Sequence, residues 1–183
     1  DPKVEVSQNE ITSESAGDTY DITVTSNVAW NAQIANQDTW VVVKPASGEA
    51  GETPVTVTVK KNNSDQPRET SISFVGETST ATVAVKQFAK DVITIDKKAF
   101  EVTPAGGSDA VKVTANTEWT ATVSEGADWV TVAPATGAAG ETTATVTVAA
   151  NATAQAREAK VTFTAGDAKA EYTISQEAVS VTL

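Results

Sequence analysis

Cysteine, histidine and methionine are all absent from the 183 residues of this chain. Without cysteine there is no disulfide, no thiol nucleophile and no thiolate metal ligand. Without histidine there is no imidazole, which is the usual acid–base group near neutral pH and a member of the Ser-His-Asp triad. A glycosidase would need two carboxylates held together in a cleft, and the acidic residues here are scattered over turns and strand faces. We predict no catalytic residue, no metal site and no cofactor, and we expect that the chain is not an enzyme.

Basic residues are scarce as well. Thirteen lysines and arginines stand against 24 acidic residues, which gives a net charge of −11 and a pI near 4.4. Nucleic acids and anionic membrane surfaces bind through lysine and arginine, so neither is expected as a partner. The acidic residues are scattered and form no Asp-x-Asp-x-Asp calcium loop. Apolar runs are only a few residues long, which excludes a transmembrane helix from this segment.

An internal repeat fills the chain. Trp30 has its counterpart in Trp119, 89 residues later, and the same offset needs no gap over the rest of the module. The positions that match at this offset are Trp40 and Trp129, Pro45 and Pro134, Gly48 and Gly137, Gly51 and Gly140, Asn62 and Asn151, Arg68 and Arg157, Phe74 and Phe163, and Gln87 and Gln176. A period of this length suits a whole small domain. We predict two modules, 1–89 and 90–183, and interpret the tail 179–183 as the start of a further module.

Each copy has the sequence pattern of an all-β domain. Apolar and polar residues alternate in 55–59 and again in 146–148, where threonine and valine dominate. Turn-forming residues separate such runs, for example at 62–67 and 106–108. About seven short strands in roughly 90 residues indicate an immunoglobulin-like β-sandwich. The predicted fold is therefore all-β, with two tandem immunoglobulin-like β-sandwich domains.

The order of the recurring residues resembles that of the BACON family (Bacteroidetes-associated carbohydrate-binding often N-terminal). In the first copy it is carried by the segments 25–30, 40–43 and 45–48, followed by Asn62, Arg68-Glu69 and Gln87. In the second copy it is carried by 114–119, 129–132 and 134–137, followed by Asn151, Arg157-Glu158 and Gln176. The resemblance covers nearly the whole chain.

The resemblance implies a secreted or cell-surface module of gut and related bacteria, attached to other domains of a larger protein. We expect an extracellular or cell-surface location, with a segment of an outer-membrane lipoprotein as one alternative. It implies carbohydrate or mucin glycans as ligands, and no catalytic residue. Three interpretations stay open at this point: a monomeric glycan-binding pair, a structural spacer that projects other domains, and a protein–protein adhesion module that uses a sheet edge.

Strand parity separates the four tryptophans. Trp30 shares a strand face with Ala32 and Ile34, and Trp119 does so with Ala121 and Val123, which is typical of a buried core tryptophan. Trp129 lies on the face opposite Val130 and Val132, so we expect it and Trp40 to face outward or to lie at the sheet rim. Exposed tryptophans would offer a platform for sugar rings, and Trp40 and Trp129 are the candidate ligand-binding residues. The alternative is that they cover the end of the sandwich beneath a loop.

Four other recurring side chains are predicted to have structural roles. Arg68 shares parity with the apolar residues of its strand, so that its guanidinium could bind loop carbonyls or stack on a tryptophan, and the same holds for Arg157. Gln87 and Gln176 end an inward-facing row, where a glutamine commonly satisfies backbone groups.

Overall fold

The computed structural model describes residues 1–180. It divides the chain into two compact units, Asp1–Lys90 and Asp91–Leu183. Residues 181–183, which belong to the tail that we interpret as the start of a further module, lie outside the described residues.

The first unit contains nine strands and a single 3₁₀ turn at Ala35–Gln37. One sheet has the order β1-β3-β7-β5 and the other has the order β2-β9-β8-β4-β6. The strands are β1 (Val4–Val6), β2 (Glu10–Ser13), β3 (Asp18–Ser26), β4 (Trp30–Ile34), β5 (Val41–Lys44), β6 (Ser47–Gly48), β7 (Gly51–Val59), β8 (Arg68–Val75) and β9 (Thr80–Gln87).

The second unit repeats this arrangement within residues 91–180. Its sheets have the orders β10-β12-β16-β14 and β11-β18-β17-β13-β15. The strands are β10 (Ile93–Ile95), β11 (Ala99–Val102), β12 (Gly107–Ala115), β13 (Trp119–Val123), β14 (Val130–Ala133), β15 (Thr136–Gly137), β16 (Gly140–Val148), β17 (Arg157–Ala165) and β18 (Ala168–Gln176).

Strand pairing has the same pattern in both units. The first strand of each unit pairs antiparallel in the four-stranded sheet, and the second strand crosses to the other sheet. There β2 runs parallel to β9, and β11 runs parallel to β18. Two packed sheets connected in this way form an immunoglobulin-like sandwich, which confirms the predicted all-β fold.

Each sandwich has its own core because inward and outward residues alternate along its strands. Val55, Val57 and Val59 of β7 are buried, whereas the threonines between them are only partly so. Each unit has nine strands, two more than the predicted seven. One of the two extra strands is β6 in the first unit and β15 in the second, which have two residues each and are too short to show a period. In the described part of the chain, no helix is long and apolar enough to cross a membrane.

Candidate functional site

Trp30 and Trp119 are packed in the centres of the two sandwiches. Their exposed fractions are 3% and 1%. Trp30 meets Phe74 edge to face at 5.4 Å, and Trp119 meets Phe163 at 5.7 Å. Neither indole N–H has a hydrogen-bond partner within residues 1–180. These rings are therefore held by packing, and neither is accessible to a ligand.

Trp40 and Trp129 lie at one end of their sandwiches, just before the edge strands β5 and β14. Both are partly buried and pack against the core of their unit. The Arg68 guanidinium carbon lies 4.5 Å from the Trp40 ring centroid, and that of Arg157 lies 4.2 Å from Trp129. Of the two expected positions, outward-facing or at the sheet rim, the structure has these rings partly buried, with an arginine over one face of each.

Each arginine is fixed by hydrogen bonds as well as by the ring. Arg68 Nε donates to Gln87 Oε1 at 2.8 Å, and its Nη2 donates to the carbonyls of Lys60 and Lys61 at 2.9 and 3.0 Å. Partial burial lowers the pKa of Arg68, with the charge of Asp38 opposing the shift. The guanidinium still carries its charge at neutral pH because an arginine in a protein is not deprotonated there.

The second unit reproduces this geometry. Arg157 Nε donates to Gln176 Oε1 at 2.8 Å, and its Nη2 donates to the carbonyls of Ala149 and Ala150 at 3.0 Å each. The same residue types thus close the same end of both sandwiches.

The two buried glutamines extend this network toward the backbone. Gln87 Nε2 donates to the carbonyls of Glu14, Ser15 and Lys60 at 3.1, 3.2 and 2.9 Å. Gln176 Nε2 lies 3.2, 3.5 and 2.9 Å from the carbonyl oxygens of Thr103, Pro104 and Ala149. In both units one amide accepts from the arginine and donates to carbonyls that the sheets leave unpaired.

Asn62 and Asn151, which match at the repeat offset, fix the loop that precedes the arginine. Asn62 Nδ2 donates to the carbonyls of Gln66 and Phe88 at 2.9 Å each, and its Oδ1 accepts from the Ser64 N–H at 3.0 Å. Asn151 makes the corresponding bonds in the second unit. A buried side chain used in this way ties the end of the last strand to the loop.

A groove lies beside the arginine at the same place in both units. In the first unit its volume is about 460 Å³, and its lining residues are Thr12, Pro67, Arg68, Glu69, Lys86, Gln87 and Phe88. In the second unit the volume is about 300 Å³, and the lining residues are Glu101, Ala156, Arg157, Glu158, Ser175, Gln176 and Glu177. The seven lining positions of one groove correspond one to one with those of the other at the repeat offset, although not every position has the same residue type.

Sequence reasoning identified the arginines and glutamines of this end but not the groove. The groove walls come from β2, β8, β9 and the residue after β9, and periodicity within one strand does not show which strands meet.

A further polar cluster occurs in the second unit alone. Tyr172 is buried, and its hydroxyl donates to Asp109 Oδ2 across the sandwich at 2.6 Å, while Lys97 Nζ lies 2.5 Å from Asp109 Oδ1. Burial alone would raise the pKa of Asp109, but hydrogen bonds from Lys97 and Tyr172 outweigh it and hold that pKa below its usual value. At the corresponding positions the first unit has Tyr20 and Val83, which explains why the two tyrosines do not match in sequence.

Comparison with known proteins gives fold relatives at low identity. No curated protein matches the chain in sequence. A three-domain immunoglobulin fragment of titin, I67–I69, is 8% identical with a TM-score of 0.63, and the match covers 96% of this chain and 65% of titin's fragment. A Bacteroides ovatus GH5 xyloglucanase, solved with a XXXG heptasaccharide, is 24% identical with a TM-score of 0.44. That match covers 51% of this chain and 20% of the xyloglucanase.

The family comparison matches one segment in each unit. The family is BACON, described as "Putative binding domain, N-terminal", and it matches residues 28–88 and 117–177. Each matched segment contains the partly buried tryptophan, the arginine above it and the glutamine that fixes the arginine. Together the two segments make up well over half of the chain, and the chain therefore belongs to the BACON family as a tandem pair of its domains.

Proposed function

We propose that this chain is a non-catalytic pair of glycan-binding modules. The observation that carries the proposal is the groove that recurs beside the stacked arginine and tryptophan in both units. In both units the groove offers amide, carboxylate and cationic groups, and in the first unit it adds the exposed ring of Phe88. Such a mixture of apolar and polar surface is what small-ligand sites use. The accessible parts of Trp40 and Trp129, together with the groove beside each, form the proposed contact region.

The proposal includes a setting for the modules. The family description, a binding domain at the N-terminus, supports attachment to further domains of a larger protein. We propose that this protein is displayed at the bacterial cell surface, where dietary polysaccharide and mucin glycans are encountered.

A structural spacer is the second candidate, and a specific observation favours it. The polar and aromatic side chains that recur between the copies are engaged within their own unit, since Arg68, Gln87 and Asn62 bind backbone carbonyls and Trp30 is buried. A pair of modules whose matched residues serve folding would project attached domains without a ligand of its own.

Affinity electrophoresis of the whole chain through gels of plant polysaccharides, host glycans and mucin separates the two candidates. The variant to compare is Trp40→Leu/Trp129→Leu, which keeps apolar packing and removes the indole surface. Tyr20→Leu is the matched control, because Tyr20 is another partly buried aromatic residue that packs on the core. Each variant is first checked for a cooperative unfolding transition.

Retardation by one polymer that is lost in the double tryptophan variant and kept in Tyr20→Leu supports a glycan-binding pair with the tryptophans at its contact region. If the tryptophan variant is still retarded, the result supports glycan binding and shows that the sugar contacts residues other than the indoles. An unretarded, folded chain in every gel contradicts glycan binding and supports the spacer.

A further inference from the structure

Phe88 is an exposed aromatic side chain held on a fixed backbone. It is 52% exposed, and every other aromatic residue among residues 1–180 is buried or partly buried. Its N–H donates to the Ser13 carbonyl at 3.1 Å, and its carbonyl accepts from Asn62 at 2.9 Å. Two residues later, the Lys90 N–H donates to the Ser64 carbonyl at 2.8 Å. The ring is therefore presented without the loss of backbone freedom that binding to a flexible segment would cost.

The groove of the first unit places polar groups beside this ring. Thr12, Lys86 and Glu69 are neighbours in register on three adjacent strands and are exposed on the same sheet face. Pro67, also exposed, adds a second apolar wall. The volume of about 460 Å³ lies within the range of about 300–1,000 Å³ that is typical of small-molecule sites.

The charges at this groove balance. Lys86 Nζ lies 2.8 Å from Glu10 Oε2, and Arg68 and Glu69 both line the groove. Two cations and two carboxylates give the site no net charge, and the whole chain carries −11. An anionic sugar would gain no electrostatic attraction here, whereas hydroxyl groups could donate to Glu69 and accept from Lys86.

We propose that this groove binds one neutral pyranose unit, with an apolar C–H face of the sugar on Phe88 and its hydroxyls toward Thr12, Lys86 and Glu69. The apolar face of a sugar with equatorial hydroxyls is left free to pack, and covering the phenyl ring removes apolar surface from water. This inference rests on the proposed glycan function and narrows it from both units to the first, where the Phe88 ring is exposed while Trp40 has one ring face covered by Arg68.

The second unit lacks these features at the same place. Glu177 stands where Phe88 does, Ala156 where Pro67 does, and Ser175 where Lys86 does. Three glutamates then line the groove with one arginine and no aromatic ring. The inference is therefore that one chain has one pyranose site, in the first unit.

Isothermal titration calorimetry of the whole chain tests this stoichiometry. The neutral probes are cellohexaose, xylohexaose and mannohexaose, and hexagalacturonate is the charged comparison. We expect one site per chain for a neutral probe, and Phe88→Ala should weaken binding about tenfold. Val179→Ala is the matched control, because Val179 is another exposed apolar side chain, 41% exposed, outside the groove.

A transfer variant gives a second, independent readout. Ala156→Pro/Glu177→Phe rebuilds the apolar walls in the second unit, and the number of sites should rise to two. Three results would each overturn the inference and leave the proposed glycan binding supported. These are wild-type binding at two equivalent sites, unchanged affinity in Phe88→Ala, and preference for hexagalacturonate. Absence of binding by all four probes, together with no retardation in the polysaccharide gels, contradicts the proposed function itself.

Discussion

At the residue scale, the recurring polar side chains serve backbone groups that the sheets cannot. The loops at the arginine end leave carbonyls without strand partners, and a glutamine amide with two N–H groups and one oxygen can bind several of them while accepting from Arg68. A shorter or apolar side chain at this position would leave the Arg68 Nε–H unpaired and would remove one donor from each of three carbonyls, which is more costly than losing an exposed hydrogen bond.

Gln87→Leu should therefore lower the free energy of unfolding of the first unit by about 1–3 kcal/mol, because the Arg68 Nε–H loses its acceptor and three carbonyls each lose one donor. Urea denaturation followed by tryptophan fluorescence measures the change. Gln33→Leu is the control, since it replaces the same residue type at an exposed position on β4. Equal losses in the two variants would show that the buried network contributes no stability.

Tyr172 should make the second unit sensitive to alkaline pH. Burial, followed by the hydrogen bond and charge of Asp109, raises the pKa of its hydroxyl well above the usual range. A phenol whose pKa is raised by folding stabilises the native state below its unfolded pKa, and this stability is lost as pH rises. Above about pH 10 the unfolded chain releases this proton while the folded chain cannot.

The test compares wild type with Tyr172→Phe at about pH 8 and about pH 11, on either side of the ordinary tyrosine pKa. Wild type should be the more stable at the lower pH because of the bond to Asp109, and this advantage should shrink at the higher pH. An advantage that is the same at both values would contradict the pKa shift.

At the element scale, sequence periodicity predicted the long strands but not every short one. Strands such as β7 and β16 alternate strictly, so pattern alone gives both their type and their buried face. The two-residue strands β6 and β15 carry no period, and their pairing depends on the tryptophan opposite them in register. The alternation of residues along the strand likewise predicted Trp40 facing outward or at the sheet rim. It could not predict that Arg68 covers the ring, since that contact joins two segments that are distant in sequence.

The strand pair β13 and β15 requires glycine opposite Trp119. Gly137 pairs in register with Trp119, and a Cβ on Gly137 would lie 2.7 Å from Cζ2 of the indole. Gly137→Ala should destabilise the second unit by about 1–3 kcal/mol, because a closely packed core must shift to admit the methyl group. Thermal and urea unfolding measure the loss.

Gly107→Ala is the control for this prediction in the same unit. A Cβ there would meet Phe100 at 3.7 Å, which is an ordinary contact distance. If Gly137→Ala were no more destabilising than Gly107→Ala, the close approach of the ring to the backbone would not be limiting.

At the scale of the whole molecule, the duplicated sequence produces two complete sandwiches. Each has its own buried cluster, with Phe74 and Val57 in the first unit and Phe163 and Val146 in the second. The recurring residues close each sandwich separately, since Arg68 pairs with Gln87 and Arg157 with Gln176. Duplication therefore preserves the residues that close each sandwich, while four of the seven positions that line the groove differ between the copies.

We propose that each unit is an independent folding domain, and fragments 1–90 and 91–183 test this. Each should unfold in a single cooperative transition, because domains of about 90 residues bury enough surface to fold alone. Fragment 1–75 is the control: it lacks β9, which pairs with both β8 and β2, so it should show no such transition. If fragment 1–90 behaved like fragment 1–75, the first sandwich would need the second in order to fold. The glycan site inferred around Phe88 would then form only in the full chain.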